Sequence, residues 1–268
     1  MPLTPEQGEA FRRDGYLALP EFFDAREVAA LQAEVARWQR EGLVRNVATD
    51  GDGKTHSQTK TNLQLIPLFD KSDLMRALPF QDKVVDAVGR LIGDPFVLHL
   101  DQMFLKPGRH GAGTSWHQDN AYFKIPEPLR GTAMWVAVHE ATRANGTIHV
   151  IPGSYREQYE HYRDPGSDHH IRCDPPDEQG REVAIELPPG GVAFFCYGTA
   201  HCTKANTTDA ERAGLAFHFL HDSQIDQASL LREKPLLSGP DTTGGEAGYG
   251  VRVAGTWDAE VEKIFNVA

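Results

Sequence analysis

The chain has 268 residues, enough for one large domain or two small ones, and a formal charge of −11 from 38 acidic and 27 basic residues. No Lys/Arg-rich run stands out, which argues against a nucleic-acid surface, and the longest apolar run, around GVAFFCYG, is far too short to span a bilayer. The opening MPLTPEQGEAFRRDG has no apolar stretch of the signal-peptide kind, and Cys173, Cys196 and Cys202 give neither a disulfide framework nor a CxxC pair, so a reducing, cytoplasmic setting is expected.

TPEQGEAFRRDG carries Thr4 with Gln7 three residues on, the pattern of a capping box, and predicts a first helix. GYLALPEFF reads as a short strand ended by a proline. DAREVAALQAEVARWQREG places Val28, Leu31, Val35 and Trp38 at helical spacing, with Gly42 as the stop. KVVDAVGRLIG predicts a further helix ending at Gly93. From Phe96 to about Asp222 the chain turns to strand-like runs split by Gly, Pro and Asn: FVLHLDQMFLK, GTAMWVAVHEA, GTIHVIPGS, REVAIELPPGGVAFFCYG and AGLAFHFLHD. ELPPGG is a tight corner. A loop-rich tail, SGPDTTGGEAGYG, follows. Helices first and a strand series after predict a mainly β protein with flanking helices, an antiparallel sandwich or barrel, not βαβ units. One domain is expected, with residues 1–95 as helical support, 96–222 as the β core and 223–268 as the tail.

The pattern His-x-Asp occurs twice, an imidazole followed two residues on by a carboxylate: His117–Asp119 in SWHQDNAYF and His99–Asp101 in FVLHLDQMF. On a strand such residues face the same way. The second pair sits mid-strand, where the ordinary expectation is a hydrogen-bonded polar pair on one strand face. The first follows a Gly-rich loop where a strand is expected to begin, a setting that suits metal ligands. His201, after the apolar strand GVAFFCYG, offers a third ligand. Two histidines and one carboxylate suit Fe(II) with open positions; zinc with the same ligands would make a hydrolytic site. Arg212, eleven residues past His201, is a fork for a buried carboxylate, and Thr203 can add a hydroxyl. The competing reading of Arg212 is a surface pair with Asp209 or Glu211.

HxD, His201 and Arg212, together with RRDGYLALPEFFDAREVAALQAEV, LDQMFLKPG, WHQDNAYF, MWVAV and NGTIHVIPGS in order, resemble the phytanoyl-CoA dioxygenase-like family of Fe(II)/2-oxoglutarate oxygenases over most of the chain. The resemblance implies a double-stranded β-helix (jelly-roll, cupin-like) core. It implies His117, Asp119 and His201 as the iron ligands, and Arg212 and Thr203 as the clamp on the far carboxylate of 2-oxoglutarate. Trp135 and Met103 would line the 2-oxoglutarate pocket, with Gln102 beside it. The family often has a lysine near the co-substrate; here Asn62 takes that place, with Lys60 two residues earlier. The family's PGSH becomes PGSY, with Tyr155 for histidine. Asp119 is present, which disfavours halogenation, since halogenating relatives lack that carboxylate.

The implied chemistry consumes 2-oxoglutarate and O2 and oxidises an unactivated C–H bond. Tyr122 and Phe123, if on a strand, face opposite sides, and one of them meets substrate. Asp101 shares strand parity with Met103 and would face the substrate side. Loops 126–130, 155–176 and 238–250 are long enough to act as a lid. An acidic chain with a His/Asp-rich rim suits a polar small molecule better than an acyl-CoA. Hydroxylation is the first expectation, in a monomer or small homo-oligomer with no nucleic-acid or membrane partner. Family relatives that tailor natural products, aminoglycosides and oligosaccharides among them, make an oxidative cyclase or desaturase the alternative. A non-catalytic jelly-roll that binds a small molecule, and a zinc hydrolase, are the rivals from other classes.

Overall fold

The computed structural model describes residues 2–49, 55–163, 171–176, 178–230 and 235–266. Helix α1 (Pro5–Asp14) opens with the expected capping box between Thr4 and Gln7. β1 (Tyr16–Leu19) and α2 (Ala25–Arg40) follow, and α2 has a second capping box from Asp24 and Glu27. Then come β2 (Arg45–Asn46), β3 (Leu63–Leu65), α3 (Asp73–Ala77) and α4 (Asp82–Ile92), the last stopped at Gly93 as expected. β4 (Phe96–Lys106), β5 (Thr114–His117), α5 (Asn120–Phe123), β6 (Gly131–Ala137), β7 (Ile148–Val150), α6 (Glu178–Arg181), β8 (Val183–Ala184), β9 (Val192–Cys196), β10 (His201–Thr203) and β11 (Arg212–His221) make the β region. The tail holds α7 (Glu246–Tyr249) and α8 (Trp257–Asn266).

Among the described residues the strands form two antiparallel sheets. The larger has the order β1-β9-β6-β11-β4-β3-β2 and the smaller β5-β10-β7-β8. Neighbours that are distant in sequence, such as β11 beside both β4 and β6, are what the jelly-roll expectation requires. Helices α2, α3, α4 and α8 cover one face of the larger sheet through a core that includes Leu31, Trp38, Met75, Val88, Phe96, Phe217 and Trp257. The other face looks toward the smaller sheet. No helix among the described residues is long and apolar enough to cross a membrane.

Three expectations need correction. The tail is not only loop: Trp257–Asn266 is a ten-residue helix packed on α2 and α3. Asp119 is not on a strand. β5 ends at His117, and Asp119 has αR angles (φ −57°, ψ −31°) at the start of the single turn α5, so Tyr122 and Phe123 are helical rather than alternating.

The third correction concerns β4. Its register against β11 runs His218 to Leu100 and then Phe219 to Leu98, which leaves His99 as an extra residue, a β-bulge. Past the bulge Leu100, Gln102, Phe104 and Lys106 face the cavity between the sheets, while Met103 and Leu105 join the helical core. Asp101 also faces the helical side, where its carboxylate accepts from Leu68 N (3.1 Å) and Phe69 N (3.0 Å). Met103 and Asp101 do share a parity, but it is the core parity, so neither reaches the co-substrate or substrate space. The bulge also separates His99 from Asp101. His99 bonds the Tyr197 hydroxyl and Ser229 O, both at 3.1 Å, so the two are not a pair on one face.

Candidate active site

The smaller sheet brings the two histidines together by register. His201 on β10 stands directly opposite His117 on β5, with ring centroids 4.2 Å apart. Each Nδ1 lies against the carbonyl two residues earlier: Ser115 O at 2.9 Å for His117, Thr199 O at 3.0 Å for His201. A carbonyl only accepts, so each Nδ1 carries the proton and each Nε2 presents a lone pair. Asp119 enters from the turn beyond β5. Its side chain makes no cap bond to α5, so the carboxylate is left to the cavity. Its Oδ1 lies 3.8 Å from His117 Nε2 and 3.7 Å from His201 Nε2, and one donor atom from each residue falls within 4.8 Å of the others.

Burial sets the charge state of this group. It pushes His117 down to about 4, with His201 adding to the effect, and His201 likewise to about 4. It lifts Asp119 to about 6. At neutral pH the site therefore offers two neutral imidazoles and one carboxylate. That donor set fits Fe(II) with positions left open for other ligands.

Gln118, between the ligand candidates, is fully buried and fastens them to the loop behind. Its Nε2 donates to Glu157 O (2.7 Å) and Gly198 O (2.6 Å), and its Oε1 accepts from Tyr159 N (2.9 Å). Its backbone N–H donates to His161 Nε2 at 2.9 Å. His169 and His170, in the same histidine-rich loop, lie outside the described residues.

The three groups open onto a cavity of about 200 Å³. At one end stands Arg212, the first residue of β11, only 1% exposed. Its Nη2 donates to Gly146 O, its Nε has no hydrogen-bond partner among the described residues, and its guanidinium lies 5.4 Å from the Trp135 ring centroid. The surface-pair reading is excluded. Asp209 pairs with Arg109 at 2.5 Å, Glu211 accepts from Gln39 at 3.0 Å, and Arg212 has no carboxylate partner among the described residues. Burial pushes its pKa down to about 10, so it stays a cation at neutral pH in a setting that calls for an anion.

Asn62, Gln102, Trp135 and Thr203 line the same cavity. Gln64 Nε2 donates to Gln102 Oε1 at 2.8 Å. Lys60 is exposed. The lysine at this end is instead Lys106, 2% exposed, the register partner of Arg212 on β4. Its Nζ donates to Thr203 Oγ1 (2.7 Å) and Lys204 O (2.5 Å). Sequence reasoning missed Lys106, although its even spacing from Gln102 was a usable signal.

Two glycines fit their positions through space and backbone. Gly146, whose carbonyl receives Arg212, has φ +80°. Gly214 leaves room for the Trp135 indole, which a Cβ there would strike.

The other end is lined by the rings of Tyr122, Phe123 and His218 and by the aliphatic side chains of Leu100 and Leu230. Both Tyr122 and Phe123 reach the cavity, because a helical turn can present adjacent residues to one space. The Tyr122 hydroxyl accepts from Ile171 N at 3.1 Å, and burial lifts its pKa to about 12. The Phe123 ring packs at a tilt against His99 and Tyr197, with centroids 4.3 and 4.6 Å away. His218 was not anticipated, although Arg212, Gly214, Ala216 and His218 share one strand parity. Tyr155 is not at the cavity; its hydroxyl donates to Arg12 O at 2.6 Å and ties the loop to α1.

These features define a class, the oxygenases that use Fe(II) and 2-oxoglutarate, and this protein is one of them. The chain belongs to the phytanoyl-CoA dioxygenase (PhyH) family, which it matches over residues 11–214. It is 29% identical to the ectoine dioxygenase of Sphingopyxis alaskensis over 79% of this chain and 74% of that one. It is 26% identical to a methylphosphonate hydroxylase of Gimesia maris over 91% of this chain and 92% of that one. Among solved structures, EctD from S. alaskensis with 2-oxoglutarate and 5-hydroxyectoine superposes with a TM-score of 0.65 at 25% identity, covering 83% of this chain and 78% of that chain.

Proposed function

We propose that the protein hydroxylates an unactivated C–H bond of a compact polar molecule. His117, Asp119 and His201 would hold Fe(II), and Arg212 with Thr203 would anchor the far carboxylate of 2-oxoglutarate against Trp135, Gln102 and Asn62. The observation that carries this reading is the convergence on one small cavity of three metal-donor groups and a buried arginine with no carboxylate partner among the described residues.

The bound metal and co-substrate would supply the oxidising power, with 2-oxoglutarate converted to succinate and CO2. The chain's own residues do the rest. The two Nδ1–carbonyl bonds fix both rings so that Nε2 points at the cavity. The Arg212 fork, held by Gly146 O and the Trp135 face, orients a carboxylate where water is excluded. Tyr122, Phe123 and Leu100 provide flat walls against which a small substrate is placed. The volume favours small substrates over an acyl-CoA. The relatives named for ectoine and for methylphosphonate support a compact polar molecule.

The test begins with an oxygen-free titration by Fe(II) and then 2-oxoglutarate, read by the visible charge-transfer band of the chelate, in wild type and Arg212→Ala. The band should form in wild type and weaken in the variant. A panel of small polar metabolites is then screened for succinate release, with products weighed by mass spectrometry. Gain of one oxygen atom supports hydroxylation; loss of two hydrogens moves the assignment to ring closure or desaturation. No band despite bound iron overturns the co-substrate reading.

A further inference from the structure

We infer that His218 is a positioning residue, which donates a hydrogen bond from Nε2–H to the metal-distal oxygen of Asp119 and keeps that carboxylate bound through one oxygen. The inference rests on the metal site proposed above.

The two oxygens of Asp119 face different partners. Oδ1 is the one near both His117 and His201. Oδ2 lies 3.8 Å from His218 Nε2. The His218 ring is 4% exposed, and neither of its nitrogens has a hydrogen-bond partner among the described residues. An ordinary core histidine would be satisfied, since an unbonded buried polar atom is costly.

The surroundings leave few alternatives. The register partners of His218 are Leu100 and Ala133, neither with a polar side chain. Phe123 and Tyr197 meet the ring edge-to-face at 5.4 and 6.0 Å between centroids, and the Tyr197 hydroxyl is already bonded to His99. Asp119 Oδ2 is the polar atom the ring faces across the cavity wall. Closing the gap to a normal hydrogen bond takes a movement of about 1 Å.

The chemical consequence concerns coordination number. A carboxylate free to rotate can bind a metal through both oxygens and so occupy a position that 2-oxoglutarate or O2 needs. A donor on Oδ2 holds that oxygen away. Hydrogen bonds of this kind to ligands also set metal affinity.

The experiment uses Co(II) as the probe, added to the full-length apoprotein without oxygen. Its dissociation constant and the intensity of its visible d–d bands, which reports coordination number, are measured for wild type, His218→Phe and His218→Gln. The energy of the Fe(II)–2-oxoglutarate charge-transfer band is read in parallel. Phenylalanine keeps the ring and removes the donor; glutamine keeps a donor. His218→Phe should raise the dissociation constant about 10- to 100-fold and change the Co(II) and charge-transfer spectra, while His218→Gln stays within about threefold of wild type. A phenylalanine variant with wild-type affinity and spectra overturns the inference, as does a glutamine variant as weak as phenylalanine. If His218→Phe does not fold, His218→Met carries the same expectation, and collapse of both overturns the inference in favour of packing. His117→Ala and Asp119→Ala run beside them: if these bind Co(II) like wild type, the metal site itself falls, whereas if only His218→Phe is silent, the positioning role alone falls.

Discussion

Trp257 donates its indole N–H to Glu27 Oε1 at 2.7 Å, joining α8 to the first turn of α2 across 230 residues of sequence. The same carboxylate accepts from Gln81 Nε2 (2.6 Å), Lys83 Nζ (2.6 Å) and Asp24 N (2.7 Å). One buried side chain thus fastens α2, α4 and α8 behind the larger sheet.

Removing it should loosen the support without touching the cavity. Glu27→Ala is expected to cost about 2–4 kcal/mol, since it strands Lys83 and the indole N–H together. Chemical denaturation measures this, and Co(II) affinity of the folded fraction should be unchanged. A loss below about 1 kcal/mol would mean that the hub contributes no more than an exposed ion pair.

Gly214 tests the cofactor end. A methyl group there strikes the Trp135 indole, which must swing toward Arg212 or the cavity. Overpacking of this kind costs about 1–3 kcal/mol. Gly214→Ala should weaken 2-oxoglutarate binding about tenfold or more, by anaerobic titration. Unchanged affinity would show that the indole has room to move aside.

The two faces of β4 can be compared directly. Met103→Leu, a volume-conserving change in the helical core, should shift stability by less than about 1.5 kcal/mol and leave 2-oxoglutarate affinity alone. Gln102→Leu, on the cavity face, should weaken the co-substrate and spare stability. Equal effects on affinity would contradict the assignment of faces.

Acid should destabilise the metal-free protein. His117 and His201 are held near 4, below the ordinary 6.5. A base with a depressed folded pKa contributes fully above 6.5 and loses that contribution as pH falls toward 4, because the unfolded chain binds the proton first. Asp119, lifted to about 6 from 3.8, runs the other way and regains stability on protonation. Two imidazoles against one carboxyl leave a net loss on the order of 1 kcal/mol per pH unit between pH 6 and 4. Thermal melts of apoprotein at pH 7 and 5 check it; a melting temperature that holds or rises on acidification counts against these charge states.

Much of the site was legible because its chemistry is rare. HxD, His201 and Arg212 are residue types that resist burial, and the structure buries all four in one cavity. What escaped has physical causes. A four-residue helix such as α5 is too short to show a period, so nothing in the sequence separates Tyr122 and Phe123 from a strand. α8 follows a Gly-rich stretch that reads as loop. The face of Met103 and Asp101 depends on whether β4 alternates without interruption, and a bulge leaves no mark in composition. Lys106 and His218 are ordinary members of strands until their partners across the sheet are known.

The bulge at His99 makes β4 a strand with two reading frames joined at one residue. Upstream, even positions feed the helical core (Phe96, Leu98); downstream, even positions build the cavity wall (Leu100, Gln102, Phe104, Lys106). Deleting His99 would restore plain alternation and leave every other side chain on its own face. Deleting Leu100 would do the same, with His99 taking its place on the cavity side, whereas deleting a residue elsewhere in the strand would exchange inside for outside along part of it. The length of β4 is therefore fixed far more tightly than its composition, and the bulge pair His99 and Leu100 is the place where one residue can be lost without mixing the protein's core with its active site.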